Sequence, residues 1–148
     1  MRAVFLALIF VTAQAFSAPV AKDDFTVPGR VVPVVAFWAA VQGVPFGVAF
    51  RLGFFESSWR PTVVSPAGAV GLFQLMPSNH RFFRDAFNGG QEFSELDPIA
   101  SARIGLGYLA SLFRIYGSWP LAVMAYNAGP GVRVWPRESQ DLARRVAS

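Results

Sequence analysis

Residues 31–50, VVPVVAFWAAVQGVPFGVAF, contain no charged side chain and are flanked by Arg30 and Arg51. Twenty such residues are long enough to cross a bilayer as one helix. They could equally form two short helices of a packed core. The four residues Gln42-Gly43-Val44-Pro45 decide between these readings. Pro45 has no backbone N–H to donate and pushes Val44 away from helical geometry. A glycine followed two residues later by proline reads as a helix stop and a restart. The expectation is therefore a hairpin of two core helices, about 31–42 and 45–57, and no stable membrane span. Pro33 would sit in the first turn of the first helix, where it is tolerated. With so few polar positions, such a pair is expected to be buried on nearly all sides.

Towards the N-terminus, Arg2 precedes an uncharged apolar run from Ala3 to Val11, and Ala13-Gln14-Ala15 follows with small-x-small spacing. This is the pattern of an export signal, residues 1–15, with Ala18 as the alternative cut. The polar stretch 16–30 reads as a mature lead-in. An exported protein of the periplasm or cell envelope is expected.

Downstream, the helix signals continue and no alternating strand pattern of useful length occurs. His80 to Phe87 reads as a short helix, closed by the Asn88-Gly89-Gly90 turn. Asp97-Pro98 reads as an N-cap with proline at the first helical position. Ala100 to Tyr116 follows with Ile104, Tyr108, Leu112 and Ile115 at helical spacing, and Gly117 stops it. Ser118 is placed to cap another helix with Pro120 early inside it, ended by Asn127-Ala128-Gly129-Pro130-Gly131. Leu142 to Ala147 reads as a last helical turn. The expected domain spans 31–135, with 136–148 as a C-terminal tail, and Arg133 to Ser148 is basic and polar enough to dock a partner. The fold class is mainly α, in one domain.

Composition narrows the function. The chain has 148 residues, no cysteine and a single histidine, His80. A disulfide framework, a thiolate metal site and a multi-histidine metal site are excluded. The net charge is +4, with the basic residues scattered apart from Arg144–Arg145. Scattered charge suits an acidic wall polymer or a solvated surface better than a nucleic-acid stripe. His80 reads as an exposed residue with no ligand role.

Glu56 is the chemical outlier. It is the only carboxylate between Asp24 and Asp85, set in Phe54-Phe55-Glu56-Ser57-Ser58-Trp59 at the expected end of an apolar helix. Apolar neighbours and the negative helix end both disfavour its ionised form. A carboxyl kept protonated near neutral pH can serve as a general acid. The plainer reading is a solvated helix-end glutamate, or one paired with Arg51 or Arg60. Glycoside cleavage usually takes two carboxylates, and no second one lies near Glu56 in sequence. Glu92 and Glu95 read as surface charge and Asp97 as a helix cap.

Four blocks in order resemble the soluble lytic transglycosylase family, whose catalytic domain has a lysozyme-like fold related to goose-type lysozyme, with a glycan-binding cleft. They are Glu56-Ser57; the run Ser65-Pro66-Ala67-Gly68-Ala69-Val70-Gly71-Leu72-Phe73-Gln74-Leu75-Met76-Pro77; Gly105-Leu106-Gly107-Tyr108-Leu109; and Ala125-Tyr126-Asn127-Ala128-Gly129-Pro130-Gly131. Two positions depart from the family pattern: Phe73 stands for a methionine, and Ser101 for an asparagine. The resemblance implies cleavage between N-acetylmuramic acid and N-acetylglucosamine in peptidoglycan, with Glu56 acting as acid and then base to give a 1,6-anhydromuramoyl end. It implies no cofactor and no metal.

By the same resemblance Tyr126 orients Glu56, Ser65 lies near the reacting sugar, and Gln74, Met76, Asn127 and Ala125 line the glycan groove. Read from the residues alone, Tyr126 and Met76 could be core and Ser65 a turn-former. A goose-type lysozyme-like hydrolase and a non-catalytic glycan-binding protein on the same scaffold are the alternatives. The small size suits a monomer that opens the wall locally for a secretion or conjugation system.

Overall fold

The computed structural model describes residues 28–148. The export signal and most of the lead-in expected for residues 1–30 lie outside the described residues. Among the described residues six α-helices follow one another: α1 (Pro28–Gln42), α2 (Phe46–Ser57), α3 (His80–Phe87), α4 (Pro98–Tyr116), α5 (Trp119–Ala128) and α6 (Arg137–Val146). No strand forms among the described residues; the only pairings of that kind are isolated bridges, Val64 with Val70 and Val70 with Leu75.

The hairpin of α1 and α2 forms as the Gly-x-Pro signal requires. Gly43 takes φ +70, its N–H donates to Ala40 O, and that of Val44 donates to Ala39 O at 2.9 Å. This crossed pair of bonds is the Schellman stop. No helix among the described residues is long and apolar enough to cross a membrane. Two details differ from expectation. The first helix begins at Pro28, so Pro33 lies beyond the first turn. The hairpin is also less buried than its composition suggests, because Phe37, Val41, Phe46, Phe54 and Phe55 stay exposed. Uninterrupted apolar sequence carries no periodicity, so it could not show which positions stay exposed.

α4 is the central element and packs on α1, α3 and α5. Its small residues allow this. A Cβ on Gly107 would lie 3.0 Å from the Phe87 ring, and one on Gly105 would lie 2.6 Å from Phe73 Cβ. Asp97 caps the helix as expected, its carboxylate accepting from Ile99 N–H at 2.9 Å. Gly117 ends it at φ +67. Of the apolar stripe, Ile104 and Leu112 are buried and Tyr108 is half-buried, but Ile115 is exposed. Ser118 occupies the N-cap position of α5 without a side-chain cap bond.

The largest departure is at the C-terminus. The stretch expected to be a tail with one helical turn is α6, ten residues long, packed on α5 and α2. Ser139, Ala143 and Val146 are buried beneath it. Arg51 of α2 holds its end, with Nε donating to Val146 O and a terminal nitrogen to Ser148 O, both at 2.8 Å. Apart from the buried Ser139, the basic and polar residues that suggested a tail are carried on the rest of this helix's surface.

Candidate active site

Glu56 is the penultimate residue of α2. The helix ends there because Ser58 and Trp59 both take left-handed backbone, φ +50 and +62. That conformation is costly for side chains other than glycine. Tertiary packing offsets it. The chain reverses so that the Trp59 ring lies against Gly53, where a Cβ would sit 2.6 Å from the indole. The same ring packs against Phe50, centroids 4.6 Å apart. Ser57 donates back to Gly53 O at 3.1 Å and is buried. Glu56 is thereby fixed at the rim of a rigid helix end.

Neither arginine that could have neutralised Glu56 does so. Arg51 is engaged with the end of α6, and Arg60 donates to Ser57 O at 3.2 Å. Burial first, and then the nearby carboxylate of Glu138, instead raise the Glu56 carboxyl to about 7. Glu138 is the residue that sequence reasoning missed. It lies 82 positions downstream on α6, in a stretch read as a tail, and no local pattern connects it to Glu56. Both line a cleft of about 500 Å³, together with Phe55, Asn127, Arg137, Asp141, Leu142 and Arg145.

Of the expected site residues, Glu56 and Asn127 line this cleft; Tyr126, Ser65, Gln74, Met76 and Ala125 do not. Asn127 lines the cleft, and its Oδ1 accepts from the buried Ser139 hydroxyl at 2.6 Å, tying α5 to α6. The Tyr126 hydroxyl donates to Phe73 O at 2.7 Å. Burial first, then the charges of Glu56 and Tyr108, hold that phenol well above its ordinary value. Phe73 is held on its other side too, its N–H donating to the buried Ser101 hydroxyl at 3.1 Å. Ser101, noted in sequence only as a departure, thus satisfies a buried backbone group.

Gln74 follows Phe73 with φ +49, and its amide nitrogen donates to Gly71 O at 2.8 Å and Val63 O at 3.3 Å. Met76 is half-buried at the end of this loop. Ser65 closes the loop's other end, its hydroxyl accepting from Ala69 N–H at 3.0 Å. Ala125 is a correction: it is fully buried in the main core, so its side chain reaches no groove.

His80 and the acids after the Gly-Gly turn also differ from expectation. The His80 ring stacks on Phe93, centroids 4.3 Å apart. Its nitrogens meet Glu95 Oε1 at 2.7 Å and Glu92 Oε2 at 3.0 Å, and Arg84 joins Glu92 at 2.8 Å. What read as separate surface charges is one clamp, binding α3 to the loop that follows it. That loop in turn presses on the Ser65–Pro77 segment, because Glu95 O fills the space where Gly71 would carry a Cβ.

Comparison with known proteins bears on this arrangement. The model of the family described as "Transglycosylase SLT domain" matches residues 34–147. The chain is 37% identical over 109 residues to the soluble lytic murein transglycosylase of Escherichia coli (strain K12), covering 70% of this chain and 17% of that protein. It is 29% identical over 149 residues to membrane-bound lytic murein transglycosylase C of Haemophilus influenzae (strain PittEE), covering 89% of this chain and 41% of the relative. Its fold superimposes on the 70-kDa soluble lytic transglycosylase in complex with bulgecin A with TM-score 0.71 and 26% identity, over 84% of this chain and 24% of that one. The chain therefore spans less than half the length of these relatives.

Proposed function

The chain belongs to the transglycosylase SLT domain family, and on that premise we propose that it is a lytic transglycosylase of peptidoglycan with Glu56 as its acid and base. The observation that carries this reading is the Glu56 carboxyl, raised to about 7 at the rim of the cleft. At neutral pH about half of such groups hold a proton, and proton transfer in both directions is then accessible.

The protonated Glu56 gives its proton to the oxygen between C1 of N-acetylmuramic acid and N-acetylglucosamine, and the C1–O bond breaks. The acetamido oxygen of the same sugar closes on C1 and stabilises the positive charge. The Glu56 carboxylate then takes the proton of the C6 hydroxyl. O6 attacks C1, the acetamido group leaves, and a 1,6-anhydro ring forms without water. Tyr126 would support this indirectly, by holding the Phe73–Gln74 segment through its hydroxyl. Gln74, Met76 and Ser65 would shape one wall of the glycan groove, and Asn127 the floor beside Glu56.

Residues 1–15 would direct export and place the enzyme in the cell envelope, acting as a monomer on the wall near a secretion or conjugation machine. One observation favours a second reading. Glu138 supplies the cleft with a second carboxylate, and a second carboxylate could activate water in a hydrolase.

The test is digestion of peptidoglycan sacculi by the purified protein beside a Glu56→Gln variant, with released muropeptides identified by mass spectrometry. Anhydromuramoyl ends made only by the unsubstituted protein support the proposal. Reducing ends alone would move the chemistry to hydrolysis, and no products from either would leave a glycan-binding role.

A further inference from the structure

The face of α6 that lines the cleft carries Arg137, Glu138, Asp141, Leu142 and Arg145, one or a few residues from each turn. Asp141 stands four residues from both Arg137 and Arg145, the spacing that favours an ion pair on a helix. It pairs with Arg144 instead. Arg137 and Arg145 make no ion pair and no hydrogen bond among the described residues. Arg145 packs its guanidinium over the Phe55 ring, 5.7 Å from the centroid, which orients the group and leaves its donors unused. Arg137 occupies the first turn of α6, where the helix dipole disfavours a cation.

Charge in the cleft is consequently unbalanced. Glu56 is largely neutral on the acid side of pH 7 and Asp141 is matched by Arg144. Two cations then face one carboxylate, Glu138. Two uncommitted guanidinium forks beside the proposed acid are suited to a carboxylate, which each can hold through paired N–H donors. Of the two sugars in the glycan, N-acetylglucosamine is neutral. N-acetylmuramic acid carries a lactyl ether that ends in a carboxylate, or in a peptide with carboxylates of its own.

We infer that Arg137 and Arg145 form a subsite for a carboxylate borne by the muramoyl residue beside the bond that is cleaved. The inference rests on the proposed transglycosylase reading and adds a basis for telling one sugar of the strand from the other.

Binding measured by titration calorimetry tests it, in a Glu56→Gln background that blocks turnover. The ligands are three tetrasaccharides: one of N-acetylglucosamine alone, one with free lactyl carboxylates, and one with peptide-bearing muramoyl residues. Each is titrated with and without Arg137→Gln and Arg145→Gln together. Expected is a loss of about tenfold in affinity for a carboxylate-bearing ligand, about what one charge-assisted contact supplies, with the neutral ligand unchanged. Whether the lactyl or the peptide ligand loses affinity identifies the source of the carboxylate. Equal losses on all three ligands, or none, overturn the subsite while leaving glycan binding in place. Failure of both proteins to bind any of the three overturns the subsite and the transglycosylase reading together.

Discussion

Burial that raises the Glu56 carboxyl to about 7 has consequences of opposite sign for chemistry and for the fold. A raised acid holds its proton more tightly in the folded chain than in the unfolded one. Below the unfolded value, near 4.5, both states are protonated and no penalty exists. As pH rises towards 7 the unfolded state alone has lost its proton, and stability falls. Above 7 the penalty is complete, on the order of 3 kcal/mol. Glu56→Gln should therefore abolish turnover and also stabilise the protein at pH 8 but not at pH 4, as read by urea unfolding at the two values. Glu138 contributes to the same shift through its charge. With Glu138→Gln, the alkaline limb of the activity profile should move to lower pH. An unmoved limb would show that its charge does not reach Glu56.

Between elements, the segment from Ser65 to Pro77 is positioned by side chains from two helices. Tyr126 of α5 and Ser101 of α4 hold the two sides of Phe73, and Gly105 of α4 leaves room for both the Phe73 side chain and the Tyr126 hydroxyl, 2.6 and 3.0 Å from where a Cβ would lie. Gly105→Ala should cost about 1–3 kcal/mol of stability through overpacking, measured by denaturant midpoint. It should also lower kcat on sacculi, because Phe73 and Tyr126 must move. The His80 clamp touches the same segment through Glu95 O, which lies against Gly71. Its hydrogen bonds to Glu95 and then Glu92 raise the imidazole above its ordinary value. The protonated ring can donate to both acids, so its contribution is complete below about 6.5 and is lost as pH rises through the raised folded value. His80→Gln should lower Tm at pH 5.5 by more than at pH 9. Equal effects at both pH values would leave the clamp no electrostatic role.

For the whole molecule, the decisive element is α6. It closes the cleft, buries Ala143 and Val146, and is fastened at one end by Asn127 and at the other by Arg51. Deletion of residues 137–148 should therefore produce a protein that melts at a much lower temperature or fails to accumulate in soluble form. A true docking tail would come away without changing Tm, so circular dichroism melting of the truncated chain separates the two descriptions.

Much of this protein was legible in the order of its residues. The Gly43–Pro45 punctuation, the Asp97 cap and the Gly117 stop are local backbone chemistry, and local chemistry is written in sequence. The isolation of Glu56 in apolar surroundings was visible for the same reason, and its raised carboxyl bears that reading out. The placement of Glu138, the pairing of Ser101 with Phe73, the His80 clamp and the packing of α6 were not visible. Each joins residues 12 or more positions apart, and the amphipathic face of α6 has meaning only once α2 and α5 present a surface to cover. Sequence settled the helices before residue 129 and which carboxylate was unusual, but not α6. Packing decided which distant charges surround that carboxylate, because electrostatic interaction depends on distance in space rather than along the chain.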